Sequence, residues 1–204
     1  MINYMQTNLL DMLEYIGEDN CQNILSSFIC PMNHDVEDFL RTKAISFARQ
    51  HIAVSYLVFA DYNHANILVG YYTLANKFVC VNRQSLSKTM QKKISKFSQY
   101  DSHLERFMIS MPLIAQLGKN FNPQLPDIMA GADLLEMALE RVLEVEHLIG
   151  GKTVYIECSN QPKLFDFYSA AGFFPFAERF RQSEETDSSV LTQMLKYFNH
   201  ESKN

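Results

Sequence analysis

The sequence predicts a single mixed α/β domain, and three observations carry that expectation. Its 204 residues, 47 % of them apolar, are enough to bury a sizeable core. Apolar runs of strand character alternate along the chain with runs of helical periodicity. The resulting order of strand, helix, strand, strand, helix, strand, helix, strand, helix, strand, strand has no internal repeat or low-complexity segment, and an alternation of this kind reads as one α/β domain.

The elements follow in order. Asn23 to Cys30 has strand character, and Pro31 and Asn33 break it. Asp35 is expected to cap a helix running to about His51, with Val36, Phe39, Leu40, Ala44, Ile45 and Phe47 on one face. Ala53 to Ala60 and Asn66 to Val81 read as two strands of a hairpin around Asp61-Tyr62-Asn63-His64. Arg83 to Phe97 reads as a mostly polar helix, and Phe107 to Phe121 as a strand made irregular by Pro112. Gly131 to Leu148 carries a strong apolar stripe of Leu134, Leu135, Ala138, Leu139, Val142, Leu143 and Leu148, and Gly150-Gly151 ends it. Val154 to Cys158 is a buried strand, and Ser159 or Asn160 can cap a helix that starts at Pro162 and stops at Gly172. Phe173 to Phe180 and Ser188 to Phe198 close the chain as two strands around the polar loop Gln182 to Asp187.

Charge and cysteine usage narrow the function classes. A formal net charge of -5 argues against a general nucleic-acid binder while leaving room for a local basic face. Cys21, Cys30, Cys80 and Cys158 show no metal-ligand spacing and read as buried, reduced thiols of a cytoplasmic protein. No metal site is expected. Residues 1–16 carry Asp11 and Glu14 and lack the basic and apolar regions of a signal peptide, and no segment has the length of a membrane span, so no membrane partner is expected.

The run Val154 to Phe173 combines strand, polar turn, helix and glycine stop, and within it Phe167-Tyr168-Ser169-Ala170-Ala171-Gly172-Phe173 fits the pattern (L/F)-Y-x-x-x-G-F at every fixed position. In this it resembles the GNAT acetyltransferases, and the element order is similar to theirs over nearly the whole chain. The resemblance implies a GNAT-like, largely antiparallel mixed sheet flanked by helices. It leaves residues 1–20 as an N-terminal extension to a domain of residues 21–204, with a helical insertion at about 83–105. It further implies an acetyl-CoA-dependent N-acetyltransferase that moves an acetyl group directly onto a primary amine. The acceptor stays open among a small molecule, a peptide terminus, a lysine and an aminoacyl-tRNA. A homodimer is compatible with it.

GNAT enzymes hold the pyrophosphate of acetyl-CoA on backbone N–H groups at a helix start, where unpaired donors and a partial positive charge meet the anion. Aligning Leu134-Leu135 with the paired apolar residues of that helix puts the motif at Pro126 to Gly131 and the pyrophosphate over Asp127, Ile128, Met129, Ala130, Gly131 and Ala132. Pro126 and Met129 replace the Gln/Arg and first Gly of Q/R-x-x-G-x-G/A, and only Gly131 is retained. Because backbone donation needs no particular side chain, Met129 is expected to adopt an ordinary dihedral and leave binding intact. Lys119, Asn120 and Phe121 would offer main-chain groups to the pantetheine arm, and Asn160 or Gln161 an amide.

The resemblance assigns Tyr168 as the acid for the departing thiolate. Glu157, on the strand leading to the site, is the first candidate for a general base, with His103 and Glu105 as others; an ordered water would serve equally. Arg83, Lys88, Lys92, Lys93 and Lys96 form a locally basic run, either a solvated helix face or a landing surface for nucleic acid such as a charged tRNA. The competing reading is a GNAT-fold module that binds acyl-CoA or a protein partner without turnover.

Overall fold

The computed structural model of the chain describes residues 3–180 and 190–199. Its first half contains β1 (Tyr4–Asn8), α1 (Leu9–Ile16), α2 (Glu18–Ser26), α3 (His34–Asp38), α4 (Ala44–Arg49), β2 (Val54–Tyr62) and β3 (Ala65–Asn82). There follow α5 (Lys88–Ile94), β4 (Gln99–Asp101), β5 (Arg106–Lys119), α6 (Gly131–Ile149), β6 (Thr153–Ser159), α7 (Pro162–Ala170), β7 (Phe174–Phe180) and β8 (Val190–Tyr197). The eight strands pair mostly antiparallel, and the fold is mixed α/β. The chain forms two compact units, one from the segments up to Ala75 and Ile114–Arg141, the other from Asn76–Leu113 and from Val142 onward.

In the first unit the strand order is β1-β2-β3-β5. β2 and β3 form the expected hairpin, turning through Asn63 and His64 at φ 51° and 62°. Two left-handed residues in a row are what a tight hairpin turn with the right strand twist demands, and asparagine accepts that conformation readily. Leu9, Leu25, Phe28, Leu40, Leu57 and Tyr71 are fully buried around this sheet face. The Tyr71 hydroxyl donates to the Val36 carbonyl at 2.5 Å, and its ring meets Phe28 edge-on. Gly118 on β5 sits under the same cluster: a Cβ there would lie 2.4 Å from Val36 Cγ1 and 3.2 Å from Phe28 Cζ. Only glycine allows that approach.

In the second unit β8 pairs antiparallel between β6 and β7, and β4 lies on β5. Paired residues Ile156 and Met194 are fully buried, while Glu157 opposes Gln193 on the other face. α5 is capped by the Ser87 hydroxyl on the Met90 N–H and anchors through buried Ile94. Lys93 lies over the Tyr197 ring and donates to Asn199.

Several expectations are corrected. Asn23 to Cys30 is not a strand: α2 covers its start, and the burial of Cys21 and Leu25 four residues apart shows the helical face that a short apolar run concealed. Residues 4–16 form β1 and α1, with β1 paired along β2 from Tyr4↔Ala60 to Asn8↔Tyr56. The next helix begins at the Asn33 cap rather than Asp35, and it is broken by a π-helical turn, Phe39–Lys43, where the Ala44 N–H reaches back to the Phe39 carbonyl. Gln161, not Ser159 or Asn160, is the N-cap of α7, and it makes no side-chain cap bond. Leu148 is 81 % exposed, whereas Glu146 is buried on the α6 stripe. The loop Gln182 to Asp187 lies outside the described residues.

Candidate functional site

The candidate residues fall into two groups, one in each unit. In the first unit, β5 ends at Lys119 and the chain runs through Asn120 and Phe121 into the loop before α6. The Leu134 N–H closes the first turn of α6 on the Ala130 carbonyl at 3.2 Å, so the N–H groups of Gly131, Ala132 and Asp133 precede the first intrahelical bond. A 19-residue helix thus presents three backbone donors and its positive dipole end at the position expected for a pyrophosphate.

The loop is held from three sides. Met129 is 3 % exposed, and it is not among the residues with positive φ, so the position of the missing glycine is an ordinary backbone site filled by a packed side chain. The Tyr4 hydroxyl donates to the Ile128 carbonyl, an anchor from β1; burial, then the Asp133 charge, raises that phenol's pKa. Lys119 pairs with Asp127 at 2.6 Å and lies over the Phe121 ring. The carboxylate that would repel a phosphate therefore has its own counter-ion.

The pantetheine expectation is narrowed. The Asn120 N–H donates to the Val69 carbonyl at 2.9 Å and the Phe121 N–H to the Ile29 carbonyl at 2.7 Å. The Asn120 side chain bridges the Leu68 carbonyl and the Ile29 and Asn122 N–H groups. Both N–H groups are committed to the protein. Strand alternation points the main-chain groups of Lys119 to the side opposite Asn120, away from the Val69 carbonyl.

In the second unit, β6 delivers the chain into α7, and Gly172 at φ 86° stops the helix as expected. Tyr168 packs edge-on against Phe167 at 5.0 Å and Phe173 at 5.8 Å. Burial first, then the Cys158 sulfur, pushes its phenol far above the ordinary value, so it is protonated at neutral pH. Cys158 itself contacts the Met194 sulfur at 3.8 Å, and burial raises its thiol.

Glu157 follows Ile156 and precedes Cys158, so alternation turns it to the opposite face of β6 from the sulfur that Tyr168 senses. Both its oxygens are engaged, by Arg179 at 2.8 Å and by Gln193 at 2.8 Å. Asn160 accepts a hydrogen bond from Thr192, and Gln161 is exposed. His103 and Glu105 are exposed in the turn between β4 and β5. Glu105 pairs loosely with Arg83 at 3.9 Å. Lys88, Lys92, Lys93 and Lys96 belong to or follow α5. Cys80 is exposed, unlike the three other free cysteines. Among the described residues no cluster of acidic, His or Cys side chains could hold a metal ion, and no helix is long and apolar enough to cross a membrane.

Sequence reasoning missed Tyr4, Tyr155 and Arg179. Tyr4 was readable in principle from the alternation Tyr4-Met5-Gln6-Thr7, which marks a strand. Tyr155 and Arg179 carry no motif, and only the sheet register brings them together with Glu157.

No protein-family model matches the chain, and no curated protein sequence does. Solved structures do. AtaT complexed with acetyl-methionyl-tRNAfMet is 23 % identical, with a TM-score of 0.62 over 93 % of this chain and 94 % of that one. A tyrosine-to-phenylalanine mutant of KacT is 19 % identical, with a TM-score of 0.61 over 94 % of each chain. A structure described as a bacterial toxin is 16 % identical, with a TM-score of 0.63 over 98 % of this chain and 93 % of that one. The chain therefore has the GNAT fold, as the AtaT and KacT toxins do.

Proposed function

We propose that this protein is an acetyl-CoA-dependent N-acetyltransferase acting by direct transfer to a primary amine, and that the amine is carried by an aminoacyl-tRNA. The observation that carries the reading is Tyr168: a half-buried phenol packed between Phe167 and Phe173 on the helix following β6, in the retained Phe167-to-Phe173 motif. Acetyl-CoA would supply the acetyl group as a thioester. The amine forms its bond to the carbonyl carbon as the C–S bond breaks, the Tyr168 proton goes to the departing sulfur, and the proton shed by the amine is returned through solvent. The Gly131, Ala132 and Asp133 N–H groups would hold the pyrophosphate, and the Lys119 main chain the pantetheine amides. Glu157, the first candidate for a base, has both oxygens held by Arg179 and Gln193 and takes no proton in this reading. The acceptor class is supported by the AtaT complex and by the exposed lysines at α5.

The test is thermal stabilisation by acetyl-CoA, followed by thiol release with a panel of aminoacyl-tRNAs and simple amines. A ligand present at 100 times its Kd stabilises the fold by about 2.7 kcal/mol, so binding alone is readable. Stabilisation together with tRNA-dependent thiol release is expected. Stabilisation without release on any acceptor favours the second reading, a binding module without turnover, for which Asp127 beside the helix start is the specific observation. No stabilisation removes both.

A further inference from the structure

β1 is tied to the loop before α6 through a single peptide group. The Tyr4 hydroxyl donates to the Ile128 carbonyl, and the Ile128 N–H turns back on the Pro126 carbonyl at 3.1 Å, so both main-chain polar groups of Ile128 are fixed. Tyr4 and residues 126–133 all belong to the first unit. Burial first, then the Asp133 charge, raises the Tyr4 phenol, which places the hydroxyl within the field of the first turn of α6 and keeps it a donor at neutral pH.

The strand that carries the phenol is itself held firmly. Tyr4 pairs with the fully buried Ala60, and the register of β1 on β2 continues to Asn8, whose side chain caps α1 on the Leu10 N–H at 2.8 Å. Gln6, two residues on and on the same face of β1, accepts from the Tyr72 hydroxyl at 2.5 Å, which ties that face to β3.

A trans peptide carries its C=O and N–H on opposite sides. Holding the Ile128 carbonyl against β1 therefore turns the Met129 N–H away from β1, and that N–H donates to no backbone carbonyl among the described residues. The Met129 side chain is 3 % exposed, so the residue cannot turn this group without emptying a packed position. The reversed peptide would offer an anion a carbonyl oxygen, which repels it. In the observed orientation a fourth N–H stands two residues ahead of the three open donors of α6, and successive N–H groups of this kind make an anion-binding concavity.

We infer that Tyr4 is a positioning residue for the acetyl-CoA pyrophosphate: its hydrogen bond to the Ile128 carbonyl selects the peptide orientation in which the Met129 N–H joins those of Gly131, Ala132 and Asp133. The inference rests on the proposed pyrophosphate site at the start of α6. It adds to that site a side chain from β1, a strand remote in sequence that carries no cofactor motif.

The experiment is calorimetric titration of acetyl-CoA into the full chain as wild type, Tyr4→Phe and Asn8→Ala. Phenylalanine keeps the ring and removes only the donor; it should weaken acetyl-CoA binding about threefold or more, the loss given by one misdirected hydrogen bond to a charged group. Asn8→Ala removes the α1 cap at the other end of the same strand, so it should lower the melting temperature and weaken acetyl-CoA less than Tyr4→Phe does. In nitrogen-15 spectra of the wild type, the Met129 amide resonance should move when acetyl-CoA saturates the protein, a readout that holds even if Tyr4→Phe does not fold. A smaller loss in Tyr4→Phe, an equal loss in Asn8→Ala, or an unmoved Met129 amide overturns the inference and leaves the transferase reading in place. Failure of the wild type to bind acetyl-CoA removes both.

Discussion

Asp127→Asn is the perturbation that most sharply probes the helix-start site. In the structure Asp127 is 74 % exposed at the side chain and holds Lys119, which is only 19 % exposed, at 2.6 Å. In near-aqueous surroundings a carboxylate ~5–7 Å from one phosphate charge repels it by about 0.6–0.8 kcal/mol. Neutralising the carboxylate removes that repulsion and leaves the Lys119 ammonium, already charged, to act on the phosphate unopposed. The change is about 0.6–0.8 kcal/mol, or roughly a three- to fourfold gain in acetyl-CoA affinity at low salt. Calorimetric titration near 50 mM salt measures it. Raising the salt toward 1 M shrinks the screening length to about 3 Å, and the gain should then fall to twofold or less. An affinity that is unchanged or lower in Asp127→Asn at low salt would refute the placement of the pyrophosphate at this loop.

Three further predictions follow from packing and protonation. Gly118→Ala must displace Val36 Cγ1 from 2.4 Å, and overpacking of that size costs about 1–3 kcal/mol; urea denaturation should show the loss, and Val36→Ala in the same chain should restore part of it. Met129→Gly empties a buried position and loosens the loop, so it should lower stability by about 2–4 kcal/mol and leave acetyl-CoA affinity the same or lower. A tenfold gain in affinity would instead show a degenerate native loop. Burial raises Glu146 from 4.5 to about 7, against a hydrogen bond from the Thr153 N–H and the nearby Lys152 charge. A raised carboxyl favours the fold while protonated and is lost as pH climbs through 7. Glu146→Gln should therefore melt higher than wild type at pH 8, by about 1–2 kcal/mol after allowing for solvent screening, with the difference gone below about pH 4.5. Equal melting at pH 8 would contradict it.

Long, strongly patterned elements were legible from sequence, and short ones were not. The stripe of α6, the hairpin around Asn63-His64 and the Pro162-to-Gly172 helix each carry a periodicity or punctuation that local physics reads directly. α2 was misread because Asn23 to Cys30 is too short for a period to separate helix from strand. The π-helical turn at Phe39–Lys43 leaves a helical pattern almost unchanged and was invisible for that reason. At the candidate site, the loop before α6 followed from register, and Met129 met its expectation of an ordinary backbone. Tertiary partners did not follow. That Lys119 pairs with Asp127, Tyr4 with Ile128, and Glu157 with Arg179 and Gln193 depends on strand register and long-range packing, which no local pattern encodes.

The most direct test of the central claim is acetyl transfer by wild type and by Tyr168→Phe, using labelled acetyl-CoA and a set of aminoacyl-tRNAs, with acetyl-CoA affinity measured in parallel. The phenylalanine keeps the ring contacts with Phe167 and Phe173 and removes only the acid. Wild type should label at least one aminoacyl-tRNA, and Tyr168→Phe should do so about 100-fold more slowly or worse, with affinity for acetyl-CoA nearly unchanged. Wild-type turnover in the phenylalanine variant, or no labelled acceptor despite bound acetyl-CoA, would contradict the account.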